Sequence, residues 1–169
     1  MVKIKLALFL LLAALCAAAL FSCSGESAKE LDLDLKDLLG TIEKTIDFSE
    51  AIERSEQYRN DCGISEDEIV WMTALKKIDV GNVGNAEVLL LVEAPDQDKA
   101  KEIETKFKTY KTNKLNELSN YNINPDYERQ WYIVDQSEII LEQKYIFWAI
   151  DGRDKEINEI IREYIKNKK

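Results

Sequence analysis

Three cysteines and a complete absence of histidine limit the chemistry open to this 169-residue chain. Without imidazole there is no Ser-His or Cys-His pair for nucleophilic catalysis, and no zinc site that depends on histidine. Cys62 has acidic residues on nearly every side in sequence, so we interpret it as a structural or incidental thiol. We therefore predict no catalytic residues, no metal site and no cofactor.

Carboxylates are the remaining candidates for acid-base chemistry. Glu87 and Glu93 flank an apolar strand, and paired acids hydrolyse glycosides when their carboxyl groups lie about 5–10 Å apart. The chain has 32 acidic residues, so we expect some pairing without any function. The acidic run at 32–37 lacks the glycine and final glutamate of a calcium loop, and we interpret it as a solvated helix face.

The N-terminal segment has the layout of a secretory signal peptide. The short basic stretch 1–5 precedes an uncharged apolar run at 6–21. This run falls short of the roughly 20 residues that span a bilayer comfortably. A plain secretory cut near the alanine-rich stretch 17–19 and a single uncleaved membrane anchor are the alternatives.

The end of the apolar run favours a lipid anchor. Leu20-Phe21-Ser22-Cys23 resembles the lipobox of bacterial lipoproteins, with leucine at −3, a small residue at −1 and cysteine at +1, although Phe21 is larger than usual. Leu15 is too bulky to precede a cleavage site at Cys16. We predict that residues 1–22 are removed between Ser22 and Cys23, and that Cys23 carries a diacylglyceryl thioether and a palmitate-type acyl chain. Two buried chains anchor stably where one does not.

After this processing Cys62 is the only unmodified cysteine, so no disulfide framework is expected despite export. The small polar residues at 23–29 are predicted to form a tether. The expected location is the extracytoplasmic face of the cell membrane, in the cell envelope.

Residues 30–169 are predicted to form a single α+β domain. Apolar residues at helical spacing predict a first helix over 31–46, and Ser49 is the expected N-cap of a second helix over 49–59. The rest of the pattern is ββα followed by ββα: strands at 69–75 and 86–94, a long helix from Pro95, a break at Asn124-Pro125, strands at 138–142 and 145–150, and a final helix capped by Asp154.

Two short stretches allow alternatives. Ser65-Glu66-Asp67-Glu68 has the pattern of a capping box and favours a short helix just before the first strand. Residues 127–134 fit one helical turn or the beginning of a strand. The stretch 81–85 has two glycines, but its spacing matches neither a dinucleotide fingerprint nor a P-loop, so a turn is predicted.

The predicted four-stranded, mainly antiparallel sheet is apolar on both faces. An antiparallel sheet covered on one side alternates apolar and polar residues, whereas 88–92 and 145–150 carry apolar residues throughout. Either the N-terminal helices cover the second face or a partner does, and we favour the helices. The lysines of the long helix are interpreted as a solvated surface.

The stretches EVLLLVEAPDQDKAKEIETKFKTYK (87–111) and NYNINPDYERQWYIVDQSEIILEQKYIFWAI (120–150) carry a likeness to known sequences. With the lipobox before them, their order resembles an uncharacterised family of small clostridial-type lipoproteins, known as a domain of unknown function. The resemblance covers roughly residues 30–166. It implies an exported lipoprotein of a Gram-positive bacterium, and it carries over no site residues.

The acidic balance restricts the partners. Lys3 and Lys5 are the only charges in residues 1–22, which leaves 21 basic against 32 acidic side chains, a formal charge of −11. This sign repels phosphate backbones, so no nucleic-acid partner is predicted. It also opposes adsorption to anionic lipids, so the lipid on Cys23 is the expected membrane attachment.

The sequence therefore favours a non-enzymatic binding or envelope-interaction module. The protein or small molecule that it binds, and the residues that bind it, are not identified by any motif. An inhibitor or immunity-type lipoprotein is the alternative, and a carboxylate-dependent hydrolase is less favoured.

Overall fold

The computed structural model describes residues 30–48, 50–77, 87–120 and 125–169. Leu31–Lys169 forms one compact unit. Its helices are α1 (Leu35–Glu43), α2 (Ser55–Asp61), α3 (Gln97–Asn120), α4 (Pro125–Gln136) and α5 (Asp154–Lys166), with a short 3₁₀ turn at Glu66–Glu68. Its strands are β1 (Ala51–Glu53), β2 (Trp71–Lys77), β3 (Val88–Glu93), β4 (Ile139–Glu142) and β5 (Tyr145–Ile150).

The predicted α+β class with an antiparallel sheet is confirmed, but the sheet has five strands and not four. The strand order is β1-β2-β3-β5-β4, and each neighbouring pair is antiparallel. The extra strand is β1, which lies within the predicted second helix 49–59 and pairs Ile52 with Lys76 of β2. Ser49, the expected N-cap, lies outside the described residues.

The helix predicted over 31–46 begins later than expected. The Asp34 carboxylate accepts hydrogen bonds from the backbone N–H groups of Lys36 and Asp37, so Asp34 is the N-cap and α1 starts at the next residue. Upstream, Leu31 and Leu33 are buried in a segment that belongs to no helix or strand. The Leu31 N–H donates to Gln143 Oε1 at 2.7 Å and the Leu33 N–H to Tyr145 Oη at 3.0 Å.

Both alternatives at 65–75 occur, one after the other. Ser65 and Glu68 form the capping box of the 3₁₀ turn, and β2 then starts at Trp71. The stretch 127–134 belongs to α4, a helix of 12 residues that starts at Pro125, and is neither a single turn nor part of a strand. The predicted turn at 81–85 lies outside the described residues.

Helices cover both faces of the sheet. The first face, which carries Leu90 and Trp148, packs against buried residues of α2, α3 and α4. The second, which carries Leu91 and Phe147, packs against buried residues of α1 and α5. The expectation that the N-terminal helices close the second face is confirmed for α1 only: α5 shares this role, and α2 packs on the opposite face.

Candidate functional site

The predicted lipidation and cleavage residues, Ser22 and Cys23, lie outside the described residues. No helix within the described ranges is long and apolar enough to span a membrane. The described part of the chain also has no group of three or more acidic or cysteine side chains placed to hold a metal ion.

The structure separates the two carboxylates that the sequence offered for acid-base catalysis. Glu87 and Glu93 lie at opposite ends of β3, so at about 3.3 Å per residue they are about 20 Å apart. This exceeds the separation of about 5–10 Å in glycosidases. Each acid also has a basic partner, because Glu87 pairs with Arg129 at 2.8 Å and Glu93 with Lys144 at 3.0 Å.

The acidic run at 32–37 serves local structure. Asp32 is exposed, and Asp34 caps α1 as described above. Asp37 accepts a hydrogen bond of 2.8 Å from the hydroxyl of Tyr164, which joins α1 to α5. The three acids are exposed as expected, but the helix-face interpretation is wrong for Asp32 and Asp34, because α1 begins only at Leu35.

Cys62 is buried at the end of α2. Burial, together with the nearby charge of Asp61, raises the pKa of the thiol to about 12. The thiol is therefore protonated near neutral pH, which supports the interpretation of a structural cysteine. Gly63 follows with φ of 66°, the left-handed conformation that glycine adopts at little cost after a helix.

The lysines of α3 are not all solvated, contrary to expectation. Lys101 and Lys108 form exposed ion pairs within the helix. Lys106 instead donates to both carboxylate oxygens of Glu68 at 2.7 Å and to the Gly63 carbonyl at 2.8 Å. Lys111 donates to the carbonyl oxygens at 135 and 137 at 2.9 and 2.6 Å. These two lysines join α3 to its neighbours.

The Lys106–Glu68 contact makes stability depend on pH. The hydrogen bond from Lys106 has the largest effect on the pKa of the Glu68 carboxyl, and those from Ser65 add to it. Together they lower this pKa to about 2. We expect Glu68→Gln to reduce the free energy of unfolding by about 1–3 kcal/mol at pH 7. Since a carboxylate with a lowered pKa stabilises the fold above its unfolded value of about 4.3, this difference should disappear as the pH falls toward 2.

Urea unfolding of both proteins between pH 7 and pH 2.5 measures this effect. Glu66→Gln is the matched control, because the Glu66 side chain is 86% exposed and forms a surface ion pair with Arg59. A difference between wild type and Glu68→Gln that does not change with pH would contradict the assignment.

The strongest candidate for a binding site lies between α2 and α3. Tyr58 and Tyr110 face each other edge to face, with ring centroids 6.0 Å apart. Lys106 donates a hydrogen bond to the Gly63 carbonyl. Gly63 follows Tyr58 in the chain by about one turn, whereas Lys106 precedes Tyr110 by one turn. The two helices therefore run antiparallel along this contact.

The antiparallel arrangement brings basic residues together. Arg54 lies one turn before Tyr58, and Lys114 lies one turn after Tyr110, so both lie at the same end of the helix pair. Lys76 of β2 lies on the sheet face that these helices cover, in register with Val88 of the buried core. We name Arg54, Lys76 and Lys114 the cation cluster.

The pKa of Lys76 responds to the basic residues around it. Burial, followed by the charges of Lys114 and Arg54, lowers the pKa of Lys76, while Asp61 acts in the opposite direction. Burial also raises the pKa of both tyrosines, so their hydroxyls are protonated donors. Within the part of the chain that the structure describes, the Lys76 ammonium and these two hydroxyls make no hydrogen bond or ion pair.

Sequence reasoning missed this cluster. In the sequence, its signal is a basic residue and a tyrosine separated by four positions, which occurs twice. The basic residue comes first in Arg54–Tyr58 and last in Tyr110–Lys114. Such a spacing places two side chains on one helix face, but it does not show which faces will meet.

Comparisons with protein-family models, curated proteins and solved structures give no match for this chain.

Proposed function

We propose that this protein is a membrane-anchored extracytoplasmic lipoprotein that acts as a non-enzymatic binding or envelope-interaction module. The observation that carries the proposal is the Leu20-Phe21-Ser22-Cys23 pattern at the end of an apolar run. It places Cys23 shortly before Leu31, where the compact unit begins. At about 3.3–3.6 Å per residue, an extended segment from 23 to 30 reaches roughly 25–30 Å.

The covered sheet supports a role at the outer surface. Since helices pack on both faces, a partner meets helix surfaces, strand edges or loops and not an open sheet face. This favours contact with a protein, or with a small ligand held between surface elements. The wide separation of Glu87 and Glu93 gives no support to the pair that served as the example for the hydrolase alternative.

Substitution of the lipidated cysteine tests the anchor. We expect Cys23→Ala to abolish palmitate labelling and to leave the protein released or uncleaved, because no thiol remains at the predicted cleavage site to accept the diacylglyceryl group. Labelling in the native host, followed by membrane fractionation, measures both effects. Cys16→Ala is the matched control and should be labelled like wild type. Persistent labelling of Cys23→Ala would show that the anchor site is wrong.

A further inference from the structure

We propose that the cation cluster of Arg54, Lys76 and Lys114 binds an oxyanion, the phosphate or carboxylate group of a small ligand. This inference deepens the binding role proposed above by naming the site and the class of ligand. It concerns the folded unit alone and does not depend on lipidation.

The first support is the number of cations that meet at one end of the α2–α3 pair. The Arg54 N–H donates to the Ala74 carbonyl of β2 at 2.8 Å, and Lys76 follows Ala74 by two residues. The charges of Lys114 and Arg54 both act on the Lys76 ammonium. The Tyr58–Tyr110 contact and the Lys106–Gly63 hydrogen bond fix the relative position of the two helices. Packing therefore fixes the positions of the helices from which Arg54 and Lys114 extend.

The second support is that Lys76 forms no ion pair with any residue in the described ranges. Lys76 is partly buried beside Arg54 and Lys114, and the described residues provide its ammonium with no hydrogen-bond acceptor. A partly desolvated charge beside two like charges is unfavourable, so a bound anion would stabilise this arrangement.

The nearby acids leave room for an external anion. The Glu53 carboxylate already accepts hydrogen bonds from the backbone N–H and the hydroxyl of Ser55. Glu117 pairs with Lys114 at 3.1 Å, but its side chain is 57% exposed, and exposed pairs exchange partners at little cost. Asp61 acts on Lys76 from the far end of α2 and Glu53 acts on Arg54, so both of these charges oppose an anion.

The donors suit oxygen ligands. The Arg54 guanidinium can donate two parallel hydrogen bonds to one phosphate or carboxylate, and the lysines add point charges. The unpartnered hydroxyls of Tyr58 and Tyr110 border the same helix contact and can donate further hydrogen bonds.

Calorimetric titration of the full-length protein at low ionic strength tests the site, with inorganic phosphate and acetate as separate probes. We expect saturable binding of at least one probe, and the stronger one identifies the preferred group. Lys76→Met should weaken binding about tenfold or more, since it removes a desolvated charge. Asp61→Asn should strengthen binding, since it removes the opposing charge.

Lys108→Met is the matched control, because Lys108 lies on the same helix, is 60% exposed and pairs with Glu104. It should bind the probe like wild type. Far-UV circular dichroism confirms that each variant is folded. The proposal is overturned if neither probe binds saturably, or if Lys108→Met weakens binding as much as Lys76→Met does. Either result leaves the palmitate test of Cys23 unaffected, so the two proposals fail separately.

Discussion

Replacing Trp148 with alanine is expected to lower the free energy of unfolding by about 3–5 kcal/mol. Trp148 is fully buried on the sheet face that α3 covers. Its ring lies 5.6 Å from that of Phe107 and 6.2 Å from that of Tyr110, measured between centroids. The indole N–H donates to Ser137 Oγ at 2.9 Å. The substitution removes the packing of three aromatic rings and leaves a buried hydroxyl without its donor.

Urea unfolding at neutral pH measures this effect. Trp148→Phe retains much of the side-chain volume and should lose less free energy of unfolding than Trp148→Ala. The difference in stability between wild type and Trp148→Phe reports the Ser137 hydrogen bond together with the lost ring area. Tyr132→Ala is the surface control, because Tyr132 is 61% exposed and its loss should change stability by about 0.5 kcal/mol or less. A loss below about 1 kcal/mol for Trp148→Ala would contradict the described core.

Replacing Lys77 with methionine is expected to destabilise the fold by about 3–5 kcal/mol. The Lys77 ammonium lies 2.5 Å from Asp151 Oδ2, and the Asp151 side chain is only 5% exposed. Lys77 also lies over the Phe48 ring, 5.0 Å from its centroid. Without Lys77, the Asp151 carboxylate is left buried and unpaired, which costs more than the pair itself contributes.

A double-mutant cycle isolates this penalty. Lys77→Met combined with Asp151→Asn should be more stable than Lys77→Met alone, because asparagine removes the unpaired charge while Oδ1 still accepts from the Arg153 N–H. Arg162→Met is the control for an exposed pair, since Arg162 and Glu138 are each about half exposed. It should lose about 0–1 kcal/mol. Similar losses for Lys77→Met and Arg162→Met would refute a buried-charge penalty.

The strands of the core were predictable because their side chains are buried in apolar surroundings on both faces of the sheet. Residues 88–92 and 145–150 are apolar on both faces and lie between helices on both sides, so local composition was sufficient. The buried stripe of α3, with Ile103 and Phe107, followed from helical spacing in the same way.

The first strand was not predictable, because pairing with a distant segment determines it. Residues 51–53 lie in a stretch with helical spacing, yet they hydrogen-bond to 75–77 at the edge of the sheet. Tertiary contact overrides local propensity in so short an element.

The candidate site could not be predicted from the sequence for a related reason. Arg54, Lys76 and Lys114 are far apart in sequence, and each is an ordinary charged residue within its own element. Only the meeting of α2 and α3 over β2 unites them. Lys106 and Lys111 were misinterpreted because helical periodicity does not reveal the acceptors that neighbouring loops offer.

The attachment of the chain's N-terminal side to the β4–β5 turn has a mechanical consequence. The N–H groups of Leu31 and Leu33 are bonded to Gln143 and Tyr145, and β5 lies between two other strands. A pull on the chain from its N-terminal side therefore loads an interior strand of the sheet before it reaches α1. Tension on the chain before Leu31 is therefore transmitted through these two hydrogen bonds to the sheet and not to the first helix.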